Sequence, residues 1–334
     1  MRKNELNDAE IETIYFGGGT PSLCTTKEIE LLINTIHDNF HVAKIPEITL
    51  EANPDDLTEE KLQQLSQTKI NRLSIGVQSF FEEDLQLMNR AHNAVEALQC
   101  IKNAKKYFSN ISIDLIYGIP GMDSDRWLQN LKIMLNLKIP HISSYALTVE
   151  DNTALKTMIQ KGIVKPVNDA SAEEHYHILT ETLEKAGYIN YEFSNFGRTG
   201  FFSQNNTAYW NGKSYLGIGP SAHSFNGKQR SWNIANNSLY LKGISENKRN
   251  FEIEILSTKD RFNEYIMTRL RTIKGVSLSE IKQEFGELYL EHLHKKLKVL
   301  VGKDLLKLDK NVIYITKKGK FVGDGIASDL FFIN

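Results

Sequence analysis

Two cysteines, Cys24 and Cys100, are all that this chain of 334 residues contains. They stand far apart and form none of the close spacings that gather thiolates around a metal, so the sequence offers neither a disulfide framework nor a metal-ligand set. Charge of one sign is missing as well. With 40 basic and 41 acidic residues the formal net charge is −1, and no global field draws the chain to nucleic acid or an anionic membrane. No apolar run approaches the roughly 20 residues of a membrane-spanning helix. The start, Met1 to Glu10, is polar throughout and unlike a secretory signal. These absences lead us to expect a cytoplasmic protein that handles small organic ligands, with no nucleic-acid partner and no integral membrane segment. A hydrophobic content of 41% is ample for a large core, and the length allows more than one domain.

What is present begins at Ile14-Tyr15-Phe16-Gly17-Gly18-Gly19-Thr20-Pro21-Ser22, where a buried-strand pattern runs into three consecutive glycines. Bare backbone of this kind approaches a ligand closely, its amides donating to a carboxylate or its carbonyls accepting from an amine. The same design recurs at Glu51, Gln78, Asp114 and Tyr145: a β-rich apolar run, a polar residue, then a helical stretch. Strands are expected at Glu12 to Phe16, Glu47 to Ala52, Arg72 to Gln78, Ile111 to Tyr117 and His141 to Thr148. They read as apolar at successive positions, as strands covered on both faces do. Between them lie helical patterns, including Lys27 to Asn39 with Leu31, Leu32, Ile36 and Phe40 on one face, and a helix opened by Thr58 as N-cap. Strands separated by helices of this length imply parallel βαβ units, and a parallel barrel presents its site at the C-terminal ends of its strands.

After Glu150 the rhythm changes. Ala170 to Gly187 reads as a helix, and Tyr191 to Gly227 is rich in aromatics, Gly, Asn and Ser, which suits a structured insertion with short strands. From about Thr258 the chain is helical and charged, then closes with a β-pair around Leu305 to Ile315, resembling a winged helix. The expected domains are residues 1–165, 166–235 and 236–334. Lys317 and Lys318 near the end have no interleaved aromatics and read as a solvated face rather than a nucleic-acid patch.

Glu51, Gln78 and Asp114, each at the end of its strand unit, would form with the glycine turn a ring suited to a ligand carrying both an amino acid and a ribose. Arg90 is free to meet a carboxylate bidentately. Among histidines, His223 lies in a Gly-rich, apolar setting, whereas His175 and His177, or His292 and His294, stand two apart on helical patterns and point in different directions.

The blocks Gly17 to Ser22, Glu51 to Pro54, Arg72 to Phe80, Asn89 to His92 and Asp114 to Gly121 together resemble the core of the radical S-adenosylmethionine enzymes related to oxygen-independent coproporphyrinogen III oxidase. His141 to Glu150, Tyr188 to Phe196 and Gly217 to Ser224 are similar to the HemW-type haem chaperones within that group. The resemblance implies a partial parallel (β/α) barrel of the radical SAM type, an α/β fold here lacking its first unit, plus a helical, winged-helix-like C-terminal domain. It implies that Gly18 takes the methionine amino group of S-adenosylmethionine and that Glu51 contacts the same molecule. Gly19, Thr20, Gln78, Arg90, Asp114 and Ala146 match positions that, in the oxidase branch, line a second S-adenosylmethionine site. Haem is the further implied ligand; from the residues themselves, His223 is either a haem contact or a hydrogen-bonded structural histidine, and Tyr209 and Trp210 are either a flat aromatic wall for a porphyrin or packing of the insertion.

Two departures stand beside the matches. The family holds a [4Fe–4S] cluster on a C-x-x-x-C-x-x-C motif, and this sequence starts beyond the place where that motif belongs. Cys24 and Cys100 do not replace it. Where HemW-type proteins usually read His-Asn-x-x-Tyr-Trp, this chain reads Asn205-Asn206-Thr207-Ala208-Tyr209-Trp210, and an amide is a poor iron ligand beside imidazole. The reading is therefore a haem-binding chaperone that passes haem to an acceptor protein, without radical chemistry in the chain as given. A coproporphyrinogen oxidase-like enzyme of porphyrin biosynthesis is the alternative, possible only with the cluster-binding segment restored, and an inactive truncated product is the lesser one. With the family's first unit absent, the strand Glu12 to Phe16 is expected to leave one row of backbone groups unmatched.

Overall fold

A computed structural model describes residues 1–3, 5–6, 9–151 and 153–333. The chain divides into two compact units: Ile11–Gln204, and Met1–Glu10 together with Asn205–Asn334.

The first unit alternates strand and helix: β1 (Ile11–Phe16), α1 (Thr26–Asn39), β2 (Val42–Ala52), α2 (Glu59–Leu65), β3 (Arg72–Gln78), α3 (Glu82–Leu87), α4 (Ala94–Tyr107), β4 (Ile111–Tyr117), α5 (Ser124–Leu137), β5 (His141–Ala146), α6 (Ala154–Gln160), α7 (Asp169–Lys185), β6 (Ile189–Glu192) and β7 (Asn195–Gly197). Seven strands form one curled sheet in the order β1-β2-β3-β4-β5-β7-β6. The first five run parallel, while β7 adds to β5 and β6 to β7 in the antiparallel sense. The start of the aromatic segment is thus the sheet's last edge rather than an insertion. At the other edge lies β1, paired with β2.

Helix starts follow their caps. Thr25 and Asn93 form capping boxes with Glu28 and Glu96, and Thr58 accepts from Lys61 N–H as the sequence implied. The buried face of α1 is only in part the expected one. Ile29 and Ile33 are buried, while Leu31 is 66% and Leu32 47% exposed. Ile36 and Phe40, both half-buried, share a face with Ile29 and Ile33 at helical spacing, whereas Leu31 falls on the opposite side.

The strands also differ from the expectation of two apolar faces. On one face Ile48, Leu50, Leu73, Ile75, Val77, Ile113, Leu115 and Ile142 are fully buried. Helices pack on this side, as at Tyr117, whose ring centroid lies 5.8 Å from that of Trp127 in α5. The alternate positions are polar: Glu47, Thr49 and Glu51 on β2, Arg72 and Ser74 on β3, Ser112 and Asp114 on β4, His141 and Ser143 on β5. Several of these groups bond one another, which offsets the cost of their burial. The Ser112 hydroxyl donates to His141 Nδ1 at 2.7 Å, and Nε2–H of that ring donates to the Tyr191 hydroxyl at 2.7 Å. Burial and the Arg72 charge hold the His141 pKa well below its ordinary value, which keeps the ring neutral.

The second unit contains α8 (Gln204–Trp210, whose first residue belongs to the first unit), β8 (His223–Phe225), β9 (Gln229–Asn233), α9 (Asn237–Ser245), β10 (Phe251–Ile255), α10 (Thr258–Leu270), β11 (Val276–Ser277), α11 (Leu278–Phe285), α12 (Glu287–Gly302), β12 (Leu306–Asp309), β13 (Val312–Ile315), α13 (Lys317–Lys320) and α14 (Gly323–Leu330). One antiparallel sheet is ordered β10-β9-β8 and another β11-β13-β12. The expected terminal β-pair is therefore a three-stranded ribbon, packed with α10, α11, α12 and α14 around Phe262, Ile266, Leu293, Leu297 and Ile313. Arg2, from the polar start of the chain, joins this unit by donating to Ser224 Oγ at 2.9 Å.

Candidate functional site

Parallel strands in register bring polar residues of one parity to the same height. Glu51 pairs across from Ser74, Ser74 from Ser112, and Asp114 from Ser143. At the C-terminal ends of β1 to β4 this creates a cleft of ≈ 170 Å³. Its walls include Gly19, Thr20, Glu51, Gln78, Arg90 and Asp114, so six of the residues selected from sequence converge on one place.

The glycine turn after β1 is conformationally required. Gly18 and Gly19 have φ of +73° and +62°, and a Cβ on Gly17 would stand 2.6 Å from the Tyr15 ring and 3.1 Å from the Glu51 carboxyl carbon. Glu51 is held from two sides: Tyr15 O–H donates to Oε1 at 2.6 Å and Gly18 N–H to Oε2 at 3.2 Å. The Gly18 amide is thereby spent on the protein, and its carbonyl remains the group suited to an amine.

Asp114 sits deeper on the cleft floor, with the Ser74 hydroxyl donating to it at 3.5 Å. Burial, reinforced by the neighbouring Glu51 charge, raises its pKa to about 6. Arg90 donates to Asn53 Oδ1 at 2.8 Å and to Gly76 O at 3.4 Å, which aims the guanidinium across the ends of β2 and β3. Burial lowers its pKa. Two carboxylates, one guanidinium, an amide and open glycine backbone can together take a cation, an amine, hydroxyls and a carboxylate.

The remaining selected residues are Ala146, His223, Tyr209 and Trp210. Ala146 ends β5, opposite Tyr117. His223, Tyr209 and Trp210 belong to the second unit. His223 is exposed rather than in an apolar setting, its ring stacked on Trp232 with centroids 5.7 Å apart. Tyr209 and Trp210 meet edge-on at 86°, so they do not form one flat wall. Adjacent residues on α8 diverge by about 100° around the axis, and a shared plane is not available to them. Tyr209 instead faces Tyr215 at 5.5 Å, and Arg271 lies over the Trp210 ring at 4.9 Å.

Sequence reasoning missed Tyr15, Ser74 and Asn53. The signal for the first two was parity: Tyr15 precedes Gly17 by two, and Ser74 follows the buried Arg72 by two. Asn53 gave no comparable signal, because its role depends on Arg90, 37 residues away.

Neither cysteine fits an iron–sulfur cluster. Cys24 follows the short helical turn Pro21–Leu23, and Cys100 is buried in α4, where burial pushes its thiol up to about 12. Among the described residues no three His, Cys, Asp or Glu side chains are grouped to hold a metal ion. None of the described helices is long and apolar enough to cross a membrane.

Comparison with known proteins agrees with this architecture. The Radical SAM superfamily profile matches residues 2–145 and the HemN C-terminal domain profile residues 256–322. The chain is 33% identical to haem chaperone HemW of Lactococcus lactis over 326 residues, 96% of this chain and 86% of that protein. It is 31% identical to haem chaperone HemW of Bacillus subtilis over 320 residues, 95% and 84% respectively. In fold it is similar to coproporphyrinogen III oxidase (HemN) from Escherichia coli, a radical SAM enzyme, with a TM-score of 0.79 at 23% identity, covering 96% of this chain and 78% of that one. The radical SAM superfamily implies S-adenosylmethionine and a [4Fe–4S] cluster as cofactors. With a strand-end cleft of the expected kind and relatives matched over nearly its whole length, the chain belongs to the HemW family of the radical SAM superfamily.

Proposed function

We propose that this chain binds haem and hands it to an acceptor protein, while S-adenosylmethionine occupies the cleft of the first unit. The observation that carries the reading is the similarity to HemW haem chaperones over 96% of this chain, which takes in both units. In the cleft, the Gly18 carbonyl accepts from the methionine amino group and Glu51 receives a second donor. Gly19, Thr20, Gln78, Arg90, Asp114 and Ala146 surround a further S-adenosylmethionine position. When bound, S-adenosylmethionine brings a sulfonium cation, a carboxylate and ribose hydroxyls. The Asp114 carboxylate suits the first, Arg90 the second, and Gln78 the third. The cluster implied by the superfamily does not fit the thiols of this chain, and no step is routed through it.

For haem, the second unit supplies an exposed imidazole at His223 and a surface at Tyr209 and Trp210 with Arg271 beside it. Guanidinium groups suit propionates and aromatic faces suit a porphyrin.

Titration of haem into the purified chain tests the reading. A saturable, one-to-one change in the Soret band is expected, together with transfer of the haem to an added apo-haemoprotein. His223→Ala should weaken the complex. A Soret band that never saturates, or one identical in His223→Ala and Trp210→Ala, would remove the haem assignment. Calorimetry with S-adenosylmethionine tests the cleft separately: Glu51→Ala should abolish heat that wild type gives.

A further inference from the structure

We infer that His92 is a positioning residue: it clamps a strained turn at the end of β3 that keeps Gln78 on the wall of the cleft. This rests on the proposed S-adenosylmethionine reading for the identity of the ligand, but not for the clamp itself.

The backbone at Gln78 is unusual for a residue with a side chain. Its φ is +65°, in the left-handed region that bulky residues rarely enter. Ser79 N–H donates to Val77 O at 2.8 Å, closing a three-residue turn around Gln78. With positive φ this is the rare, strained hand of the γ-turn. Pairing with β4 slips at the same place, from Ile75↔Ile113 to Gln78↔Leu115, so three residues of β3 span two of β4. Strain of this kind persists only where surrounding bonds over-determine it.

Those bonds can be traced on both sides of the turn. After it, Phe80 N–H donates to Asn130 Oδ1 at 2.7 Å and Ser79 O–H to Asp84 Oδ2 at 2.7 Å. Before it, the Val77 carbonyl accepts a second hydrogen bond, from His92 Nε2–H at 3.1 Å. His92 is 2% exposed and its Nδ1 lies 3.7 Å from Asp55 Oδ1, on the segment after β2. A carbonyl accepts only, which fixes the ring proton on Nε2. The same anchor seats Arg90, two residues earlier, above Gly76 O. Gly76 has no side chain to obstruct either group: a Cβ there would stand 2.9 Å from Gln78 Nε2 and 3.4 Å from Arg90 Nη2. One buried imidazole thus fixes two cleft residues through backbone, without touching the ligand.

The experiment uses the full chain and two readouts: exchange of the Ser79 and Phe80 amides without ligand, and calorimetric affinity for S-adenosylmethionine. His92→Ala should speed Ser79 exchange about tenfold or more while the amides of Ile113 to Leu115 keep their protection. It should also weaken the ligand by about tenfold. His92→Gln, whose Nε2–H reaches the same carbonyl, should restore most of both. In a Gln78→Gly background, where positive φ costs nothing, His92→Ala should change Ser79 exchange little, and this pair keeps the test decisive should His92→Ala alone fail to fold. Unchanged Ser79 exchange in His92→Ala, or a folded His92→Gln as impaired as His92→Ala, would overturn the inference. If wild type does not bind S-adenosylmethionine, the cleft reading fails, and the exchange results still decide the clamp.

Discussion

Replacing Asp114 by Asn should make the chain more stable above pH 6 and leave it little changed near pH 4. Enclosure of the carboxyl, followed in size by the charge of Glu51, raises its pKa from an ordinary 3.8 to about 6. At 1.36 kcal/mol per pKa unit this amounts to about 3 kcal/mol at most, and solvent at the open side of the cleft trims it to about 1–3 kcal/mol. The sign follows from proton counting. Between pH 4 and 6 the native carboxyl keeps a proton that the unfolded one has released, so wild type loses stability as pH rises through that window and reaches a plateau above it. Asn has no proton to lose and shows no such slope. Urea unfolding of both proteins in half-unit steps from pH 4 to 8 measures the difference. It should grow from near zero to about 1–3 kcal/mol in favour of Asp114→Asn. A flat difference, or one favouring wild type at high pH, would mean that Arg72 and the serine hydroxyls hold Asp114 ionised, and the burial argument would be wrong. Glu51→Gln, which removes the second cause, should narrow the gap without closing it. If the cleft takes a sulfonium cation, affinity should rise with pH through the same window.

Trp127 is fully buried and its indole N–H donates to His175 O at 2.8 Å; Trp127→Ala should cost about 3–5 kcal/mol by denaturant unfolding, and a loss under about 1 kcal/mol would show that the site collapses around the cavity. The strand β1 lies at the sheet edge, so its amides should on average exchange faster than those of β4, and equal protection in a demonstrated monomer would show that the edge is covered. Anaerobic reconstitution with iron and sulfide should not give a stoichiometric cluster on the two thiols of this chain; about four irons per chain in a defined complex would refute that.

The strands β3 and β4 could be read from sequence to their end residues, because each joins an apolar run to unmistakable turn residues and each is central in the sheet. Burial makes the pattern loud. What could not be read is which partner a residue finds across the sheet. In α1, Leu32 flanks the stripe of Ile29, Ile33, Ile36 and Phe40, and only the sheet beneath decides which edge of that stripe is covered. The return of β7 along β5 depends on a tight turn at Phe193 and Ser194 and on pairings of some 50 residues in sequence, such as Ser143 with Asn195. Tyr15 looked like one more apolar strand residue until Glu51 was placed 2.6 Å from its hydroxyl.

The polar interior was the largest misreading, and it bears on the site. Thr49, Arg72, Ser112 and His141 stand two residues before Glu51, Ser74, Asp114 and Ser143 on the same strands, and strand positions i and i+2 share a face. Had those earlier positions been apolar, as two-sided burial would suggest, Asp114 would rest on hydrocarbon and its pKa would stand higher still, leaving it neutral at physiological pH. Instead Arg72 draws the pKa down, as do hydrogen bonds from Ser143 and Ser74. The carboxyl is left near 6, mostly ionised at pH 7 yet responsive to any charge that enters the cleft. A buried arginine that touches no ligand therefore sets the charge of the group that meets one, and Arg72→Met, which keeps the stem and removes the charge, should raise the Asp114 pKa further in a carboxyl-detected titration.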